Sequence, residues 1–533
     1  MSALKSWFAC LAQRPEPEPL DYPFAPSDVA RLHGLGKHDR ADDLDDQTWR
    51  DLLLERYLET LSQDGTDKVS IFGRQVLYRR LRAGVSAPDA AVRRARVQRL
   101  LEEPDCIAPL LRSLVALRSA EVETAALLSD ERAPPAPPQP ALVARAPLLT
   151  LLLVLSIAAA LAVSPLGWIG VGVAMYLLVA MQMRWRDRAV EWKKSTDALQ
   201  MLLRACSLLD GSGLPLAADF DGLRQPAGRL SRALARPPLS SVVPGASEYG
   251  DWFVASNIRH YFATLALVAR ERGFLRRCFD LCAELEADLA LARHLHGRRH
   301  WCWTERSGAR TLVLEAGVHP LLDAAAALSI ALDGKGVFLS GQNGVGKSTF
   351  LRMLGLNLAV ARGFGFCYAK RAALPALPVV ASMQNEDSLL NGHSLYIAEL
   401  ARARELLALA TGGRAVVCLV DEIFRGTNHE ESVSAAAAVV DELARDALVV
   451  VSSHNLVLGP LLAHRLAPWR IVQGADGGLR LEPGVLGRTN GVSLLAERGF
   501  DVAVQRKAER VAGWLARQRG SEAGADVLAR EVS

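Results

Sequence analysis

Along much of this 533-residue chain, apolar residues recur at three and four positions, the spacing of helices that bury one face. The pattern is plain in VRRARVQRLLEE, Val92 to Glu103, and in RRCFDLCAELEADLALARHL, Arg276 to Leu295. It predicts helical regions over 40–130 and 185–309. The spacing changes character in two places. From Ala146 to Met183 the apolar residues are continuous and no charge interrupts them. Toward the C-terminus, short apolar runs end abruptly at polar residues: GVFLS (Gly336 to Ser340), AVVCLV (Ala415 to Val420) and ALVVV (Ala447 to Val451). Runs of that length read as buried strands of a parallel sheet. The expected fold class is therefore multidomain, α plus α/β.

The uncharged stretch, APLLTLLLVLSIAAALAVSPLGWIGVGVAMYLLVAMQM, is too long for one straight span, since at ~1.5 Å per residue it would be nearly twice a ~30 Å hydrocarbon core. Ser164-Pro165 and Leu166-Gly167 are turn signals near its middle. Two spans, 147–163 and 166–183, joined by a tight turn satisfy their own backbone groups. Arg145 precedes them, and Arg184, Arg186 and Arg188 follow, so both flanks are expected on the cytoplasmic side. The competing reading, a buried hairpin in a soluble core, is disfavoured because such helices rarely lack a polar face over this length. ERAPPAPPQPA, Glu131 to Ala141, reads as a semi-rigid linker into the hairpin.

Composition adds little. Half of the residues are hydrophobic, 23% are charged and the net charge is +4, which gives no global argument for nucleic acid. The eight cysteines include no CxxC pair; Cys278 and Cys282 could share a helix face, but nothing completes a zinc pattern, so buried reduced thiols are expected. RHLHGRRH, Arg293 to His300, is a cationic cluster that reads as a solvated helix end in preference to a phosphate or anionic-lipid contact. The first twenty residues do not read as a signal peptide, because their apolar stretch is short and runs into a Pro/Glu segment.

Candidate chemistry sits in LSGQNGVGKSTF, Leu339 to Phe350, a GxxxxGK[ST] loop directly after a predicted strand. Gly341, Gly344 and Gly346 allow the backbone to turn its N–H groups inward, and with the following helix N-terminus they form an anion nest. Asn343 and Thr349 belong to the same nucleotide-binding set. Lys347 is placed to reach the β- and γ-phosphates, and Ser348 to hold Mg²⁺. Asp421, at the end of AVVCLVD, is a second Mg²⁺ candidate, through water, and Glu422 is placed to polarise an attacking water. His454, after ALVVVSS, suits a sensor of the γ-phosphate. ATP and Mg²⁺ are the expected ligands, and hydrolysis there rests on positioning and charge stabilisation.

The surrounding residues resemble those of the MutS family. Only 74 residues separate Lys347 from Asp421, with no LSGGQ-like signature of transporter-type ABC modules. Instead, ASMQNEDSLLNGHSLYIAELARARELLALA, Ala381 to Ala410, resembles the MutS segment in which a Gly-x-Ser turn (Gly392, His393, Ser394) precedes a long helix, which here carries Glu399. DEIFRGTN resembles the family's DEIGRGT, and SSHN its strand-plus-His motif. Weaker similarities cover Leu44 to Arg82, with Thr48 and Gly73-Arg74, the helix CAELEADLALARHL, LEAGVHPLL with His319-Pro320, and Asn490 to Leu515. Gln342, Gly344 and Val345 depart from the family's usual loop, and Phe424 replaces a small residue.

The resemblance implies a homodimer with composite sites: Lys347, Ser348, Asp421, Glu422 and His454 from one subunit, Ser394 reaching the γ-phosphate in trans. It also implies association with DNA. About 35 residues precede the resemblance, which leaves no room for the mismatch-reading and connector domains, so mismatch specificity is not expected. The layout expected is a tail (1–39), first helical core part (40–130), linker (131–145), transmembrane hairpin (146–184), second core part (185–309), P-loop ATPase domain (310–485) and C-terminal helical dimerisation segment (486–533). A MutS-like ATPase associated with DNA while anchored in the membrane is the leading expectation. The alternative is a membrane-anchored ATPase acting on lipid or a protein partner. The Ala/Arg-rich composition, without organelle signals, points to a bacterial inner membrane.

Overall fold

The computed structural model describes residues 20–36, 40–62, 68–129, 138–236, 246–342, 344–383, 395–411, 415–474, 478–486 and 499–518. Part of the proline-rich linker (131–137) and the stretch 487–498 lie outside them. Two compact units emerge, each discontinuous in sequence: Met1–Lys37, Ser62–Tyr78 and Arg96–Arg293 form one, and His38–Leu61, Arg79–Ala95 and His294–Ser533 the other.

The first unit is helical. Its main helices are α1 (Ala146–Ala162), α2 (Gly167–Leu209), α3 (Ala246–Val254), α4 (Ser256–Arg270) and α5 (Arg272–His296). Pro147 sits in the first turn of α1, where its missing N–H leaves no gap in the ladder. The α1–α2 turn closes as Val163 N and Ser164 N both donate to Ala159 O at 2.9 Å. Small residues then let the helices meet: a Cβ on Gly167 would collide with Ala160 N, and one on Gly170 with Ser156 Oγ. α2 does not stop at Met183 but runs unbroken for 43 residues, about 65 Å. Between Gly172 and Gly211 the sequence holds neither Gly nor Pro, so nothing ends the helix earlier. Past the arginines it changes from apolar all round to a single buried face with Leu199, Leu202, Cys206 and Leu209.

At the base of the hairpin, Leu153, Ala174, Leu178 and Met181 pack with Ile258 and Phe262 of α4. Gln182 and Asn257 pair their amides, at 3.1 and 3.3 Å. Elsewhere in this unit the buried Glu286 of α5 accepts from Ser70 N (2.8 Å), Ser70 Oγ (2.5 Å) and Gly73 N (3.0 Å), at the start of the helix Ile71–Ala83. Burial raises its pKa against those bonds. A Cβ on Gly73 would fall 2.8 Å from Glu286 Oε2, which explains a glycine there.

The second unit carries the strands β1 (Cys302–Trp303), β2 (Glu305–Arg306), β3 (Thr311–Gly317), β4 (Leu328–Asp333), β5 (Gly336–Gly341), β6 (Phe366–Cys367), β7 (Arg371–Leu374), β8 (Val379–Ser382), β9 (Val417–Asp421), β10 (Leu448–Ser452), β11 (Leu466–Gln473) and β12 (Leu479–Pro483). Six form the main sheet in the order β12-β11-β5-β10-β9-β8, parallel except for β12. Every residue of β5, β9 and β10 is buried, as their continuous apolar runs require. Alternate side chains serve two faces. Cys418 and Val420 enter a core with Ala403 and Leu406 of α7 (Leu395–Thr411) and Val440 and Leu443 of α8 (His429–Asp446). Leu419 faces the other way, toward Gly355 of α6 (Lys347–Phe364), where a Cβ would come within 2.6 Å of it.

The segment around Thr48 covers the sheet's open edge at β8. Ala381 N donates to Thr48 Oγ1 and Met383 N to Asp51 Oδ2, both at 2.8 Å, while Arg402 pairs with Asp45 at 3.1 Å. Residues read from sequence as part of the helical core thus complete the α/β unit and satisfy an edge strand. The cysteine expectation holds among the described residues: the seven are free, and all but Cys302 are buried. The cationic cluster is not simply a solvated end. His294 is buried with Nε2 2.7 Å from Tyr368 Oη, and Arg298 donates to Pro320 O at 3.1 Å.

Candidate functional site

Three neighbouring parallel strands, β5, β10 and β9, point their C-terminal ends at one place, where open α/β sheets gather ligand-binding loops. β5 delivers Gly341. The loop then turns through Gly344 (φ +76°) and Gly346 (φ +99°), conformations that side chains resist, and α6 begins at Lys347. Gly341 itself has no room for a Cβ, which would meet Val345 Cγ1 at 2.9 Å. A tight glycine turn that runs into the N-terminus of an 18-residue helix is an anion cradle.

Lys347 is buried and folds back over the loop, donating to Gly341 O at 3.1 Å and Gln342 O at 3.2 Å. Burial pushes its pKa down, and the carboxylates of Glu422 and Asp421 counter that. Its Nζ also lies 3.4 Å from His454 Nδ1. His454 Nε2 is 2.6 Å from Glu422 Oε1. One tautomer serves both contacts: Nε2–H donates to Glu422, and Nδ1 accepts from the lysine. Arg425 pairs with the other oxygen of Glu422. Burial works to raise the Glu422 pKa, but the His454 bond and the Arg425 charge outweigh it and hold the carboxyl below its usual range. Asp421 is buried at the end of β9, where Ser452 Oγ of β10 donates to it.

The exit from β9 is strained. Glu422 (φ +55°) and Phe424 (φ +58°) both adopt left-handed backbone, at a cost of about 1–3 kcal/mol each. Phe424 is fully buried, packs edge-on to Tyr396 with centroids 5.9 Å apart, and its carbonyl accepts from Ser432 Oγ. Glu399 of α7 then accepts from Arg425 N (2.9 Å) and Gly426 N (3.2 Å), tying that helix to the loop behind the acidic pair.

The structure therefore brings together Gly341, Gly344, Gly346, Lys347, Asp421, Glu422 and His454, with Ser348 half-buried and Thr349 exposed on the first turn of α6. Asn343 and Ser394, with Gly392 and His393, lie outside the described residues. Sequence reasoning gave no role to Arg425 or Ser452 and no partner to Glu399. Arg425 stood inside the quoted DEIFRGTN and Ser452 inside SSHN, but their partners lie across strands or on another helix. The residues present fit a magnesium nucleotide: a cradle and lysine for phosphate, with the Ser348 hydroxyl and Asp421 carboxylate as hard oxygen donors for Mg²⁺.

Strand, glycine turn and helix, with an acidic pair at the end of a parallel strand one place removed in the sheet, define a P-loop α/β domain. Residues 337–467 match the family described as MutS domain V. The chain is 29% identical over 260 residues to the DNA mismatch repair protein MutS of one strain of Thermus thermophilus, covering 47% of this chain and 31% of that protein. It is 34% identical over 200 residues to the Endonuclease MutS2 of another strain of the same species (37% and 24%), and 27% identical over 218 residues to the DNA mismatch repair protein msh3 of Aspergillus fumigatus (39% and 19%). Over this domain the chain is similar to proteins of the MutS family. It spans less than a third of the length of these relatives.

Proposed function

We propose that this protein binds ATP with Mg²⁺ and hydrolyses the γ-phosphate as a MutS-type ATPase, in a homodimer with composite sites, in association with DNA and held to a membrane by the α1–α2 hairpin. The contact chain Lys347–His454–Glu422, set at the ends of three parallel strands beside Asp421, carries the reading.

Mg²⁺, when bound, neutralises phosphate charge. Ser348 and Asp421 would hold it, and Ser452 fixes the Asp421 carboxylate in place. Lys347 offers an ammonium whose carbonyl partners on the loop are readily exchanged for phosphate oxygens. Glu422, kept ionised by His454 and Arg425, accepts a hydrogen bond from the attacking water and takes its proton. His454 holds the Glu422 carboxylate in orientation. Ser394 of a second copy would complete the site, as the MutS resemblance implies.

Association with DNA is supported by the relatives, two of which are named for DNA mismatch repair. The second reading, an ATP cycle directed at lipid or a protein partner, shares the same anchor: the hairpin exposes Leu155, Leu161, Val163, Leu166 and Ile169 in a stretch without charge. ATP turnover by the detergent-purified protein, titrated with duplex, mismatched and branched DNA, separates them, with Glu422→Ala as control. Stimulation by DNA that disappears in the control is the expected result. Turnover that ignores all three DNAs yet is lost in the control overturns the DNA association and leaves the ATPase. No turnover under any condition overturns the ATPase.

A further inference from the structure

The hairpin has a geometry that says how it meets a bilayer. α1 has 17 residues and is about 25 Å long, short of a ~30 Å hydrocarbon core; among the described helices α2 alone is long and apolar enough to cross. The lower part of α1 is also held along one face, though Leu148, Leu151 and Leu152 on its other face are exposed. Thr150 donates to the carbonyl of Phe253 in α3, and Leu153 sits in the core formed with α4. On α2, Ala174 and Leu178 belong to that same core, and Gln182 donates to the carbonyl of Asp251. The level of α3 and α4 cannot lie in hydrocarbon, because Asp251 pairs with Arg236 at 3.1 Å and the Gln182–Asn257 amide pair sits beside it. The limbs that stand clear run over 154–162 and 167–173, each roughly 10–15 Å. That is half a bilayer core.

The side chains agree. The tip is apolar: Val163 is 83% exposed and Leu166 72%. Ser164 is its only polar side chain, and its hydroxyl accepts from Leu166 N within the turn at 3.4 Å. The cations are all at the base, in Arg145, Arg184, Arg186 and Arg188, and the guanidiniums of Arg184 and Arg188 lie over the Trp185 ring at 5.7 and 5.2 Å. Beside the limbs, α3 exposes Tyr249 and Trp252, aromatic residues suited to the headgroup zone, around a groove of about 460 Å³ completed by Met175, Leu178, Val179, Glu248 and Phe253.

We propose that the hairpin is a one-leaflet anchor: both limbs enter from the same face, the tip ends near the bilayer midplane, and α3 lies among the headgroups. This rests on the membrane reading above and replaces two full crossings by none. A nitroxide on Ser164→Cys of the full-length protein tests it, in vesicles of phosphatidylethanolamine and phosphatidylglycerol, with the signal of the labelled wild-type chain subtracted. Val163→Cys is the second position should the first fail to fold. Flotation with the vesicles is scored first, then collision of the label with oxygen and with a water-soluble nickel chelate. The expected result is flotation, oxygen accessibility near its midplane maximum and protection from the chelate. Flotation with a tip open to the chelate overturns the one-leaflet anchor and keeps the membrane. Failure to float overturns both.

Discussion

The ends of β5, β9 and β10 and the hairpin limbs invert one another. At the strand ends, groups that water would prefer to keep are buried: Lys347 donates to loop carbonyls, Asp421 accepts from a hydroxyl, and Glu422, mostly buried, pairs with Arg425 and His454. On the limbs, groups that water rejects are exposed, in a stretch of sequence without charge. Each region violates the ordinary sorting of side chains, and each violation costs stability in a free monomer in water. The buried charges are already compensated within the fold, so their arrangement serves chemistry. The exposed apolar surface is not covered by any of the described residues, which is what the proposed membrane contact would supply.

The contrast can be broken at either end. Glu422→Ala should lower ATP turnover by about 10²–10⁴-fold with nucleotide affinity retained, because it removes the proton acceptor and spares the phosphate cradle. Turnover within tenfold of wild type would take Glu422 out of the chemistry. Leu155→Lys places a charge on a free limb and should weaken partition into vesicles by about 2.5–3.5 kcal/mol, read by flotation; unchanged flotation would strip the exposed limbs of membrane meaning. Gly73→Ala is the control away from both, since it drives a methyl into the Glu286 carboxylate. It should destabilise the fold by about 1–3 kcal/mol, seen in the denaturant midpoint, with little effect on turnover per folded molecule.

Finer tests concern the strand ends. Glu399→Ala leaves two loop amides without their acceptor and should cut kcat roughly tenfold at unchanged nucleotide affinity, whereas Glu399→Gln, which keeps an acceptor oxygen, should restore most of it. Equal defects in the two variants would make the Glu399 charge, not its hydrogen bonds, the relevant property. His454→Ala should shift the acid limb of the pH–rate profile. Burial favours the neutral form of Glu422, and the His454 bond is the largest force opposing it. Removing that bond raises the Glu422 pKa, so turnover is lost at a higher pH as the solution is acidified. A limb that stays in place or moves to lower pH contradicts the assigned contact.

The strands, the glycine loop and the uncharged hairpin were legible in the sequence because their causes are local. A buried parallel strand must be apolar throughout, a phosphate loop needs glycine at fixed steps before Lys347, and Pro165 disfavours helical backbone at Ser164 before it. Lys347, Asp421, Glu422 and His454 could be named for the same reason, each lying at the end of a readable strand or loop. Thr48 and Asp51 show the limit. Their short helix looks like any other amphipathic turn, and only the fold places Thr48 Oγ1 and Asp51 Oδ2 against the open N–H groups of Ala381 and Met383. Arg425, Ser452 and Glu399 are the same case at the site. The hairpin's lack of charge was plain in the sequence, but which side chains of its two limbs are covered was set by where α3 and α4 pack against them. Local pattern records the preference of each backbone segment and its solvent. Which distant groups satisfy one another, and how much of an apolar helix is left uncovered, follow only when the chain is packed in three dimensions.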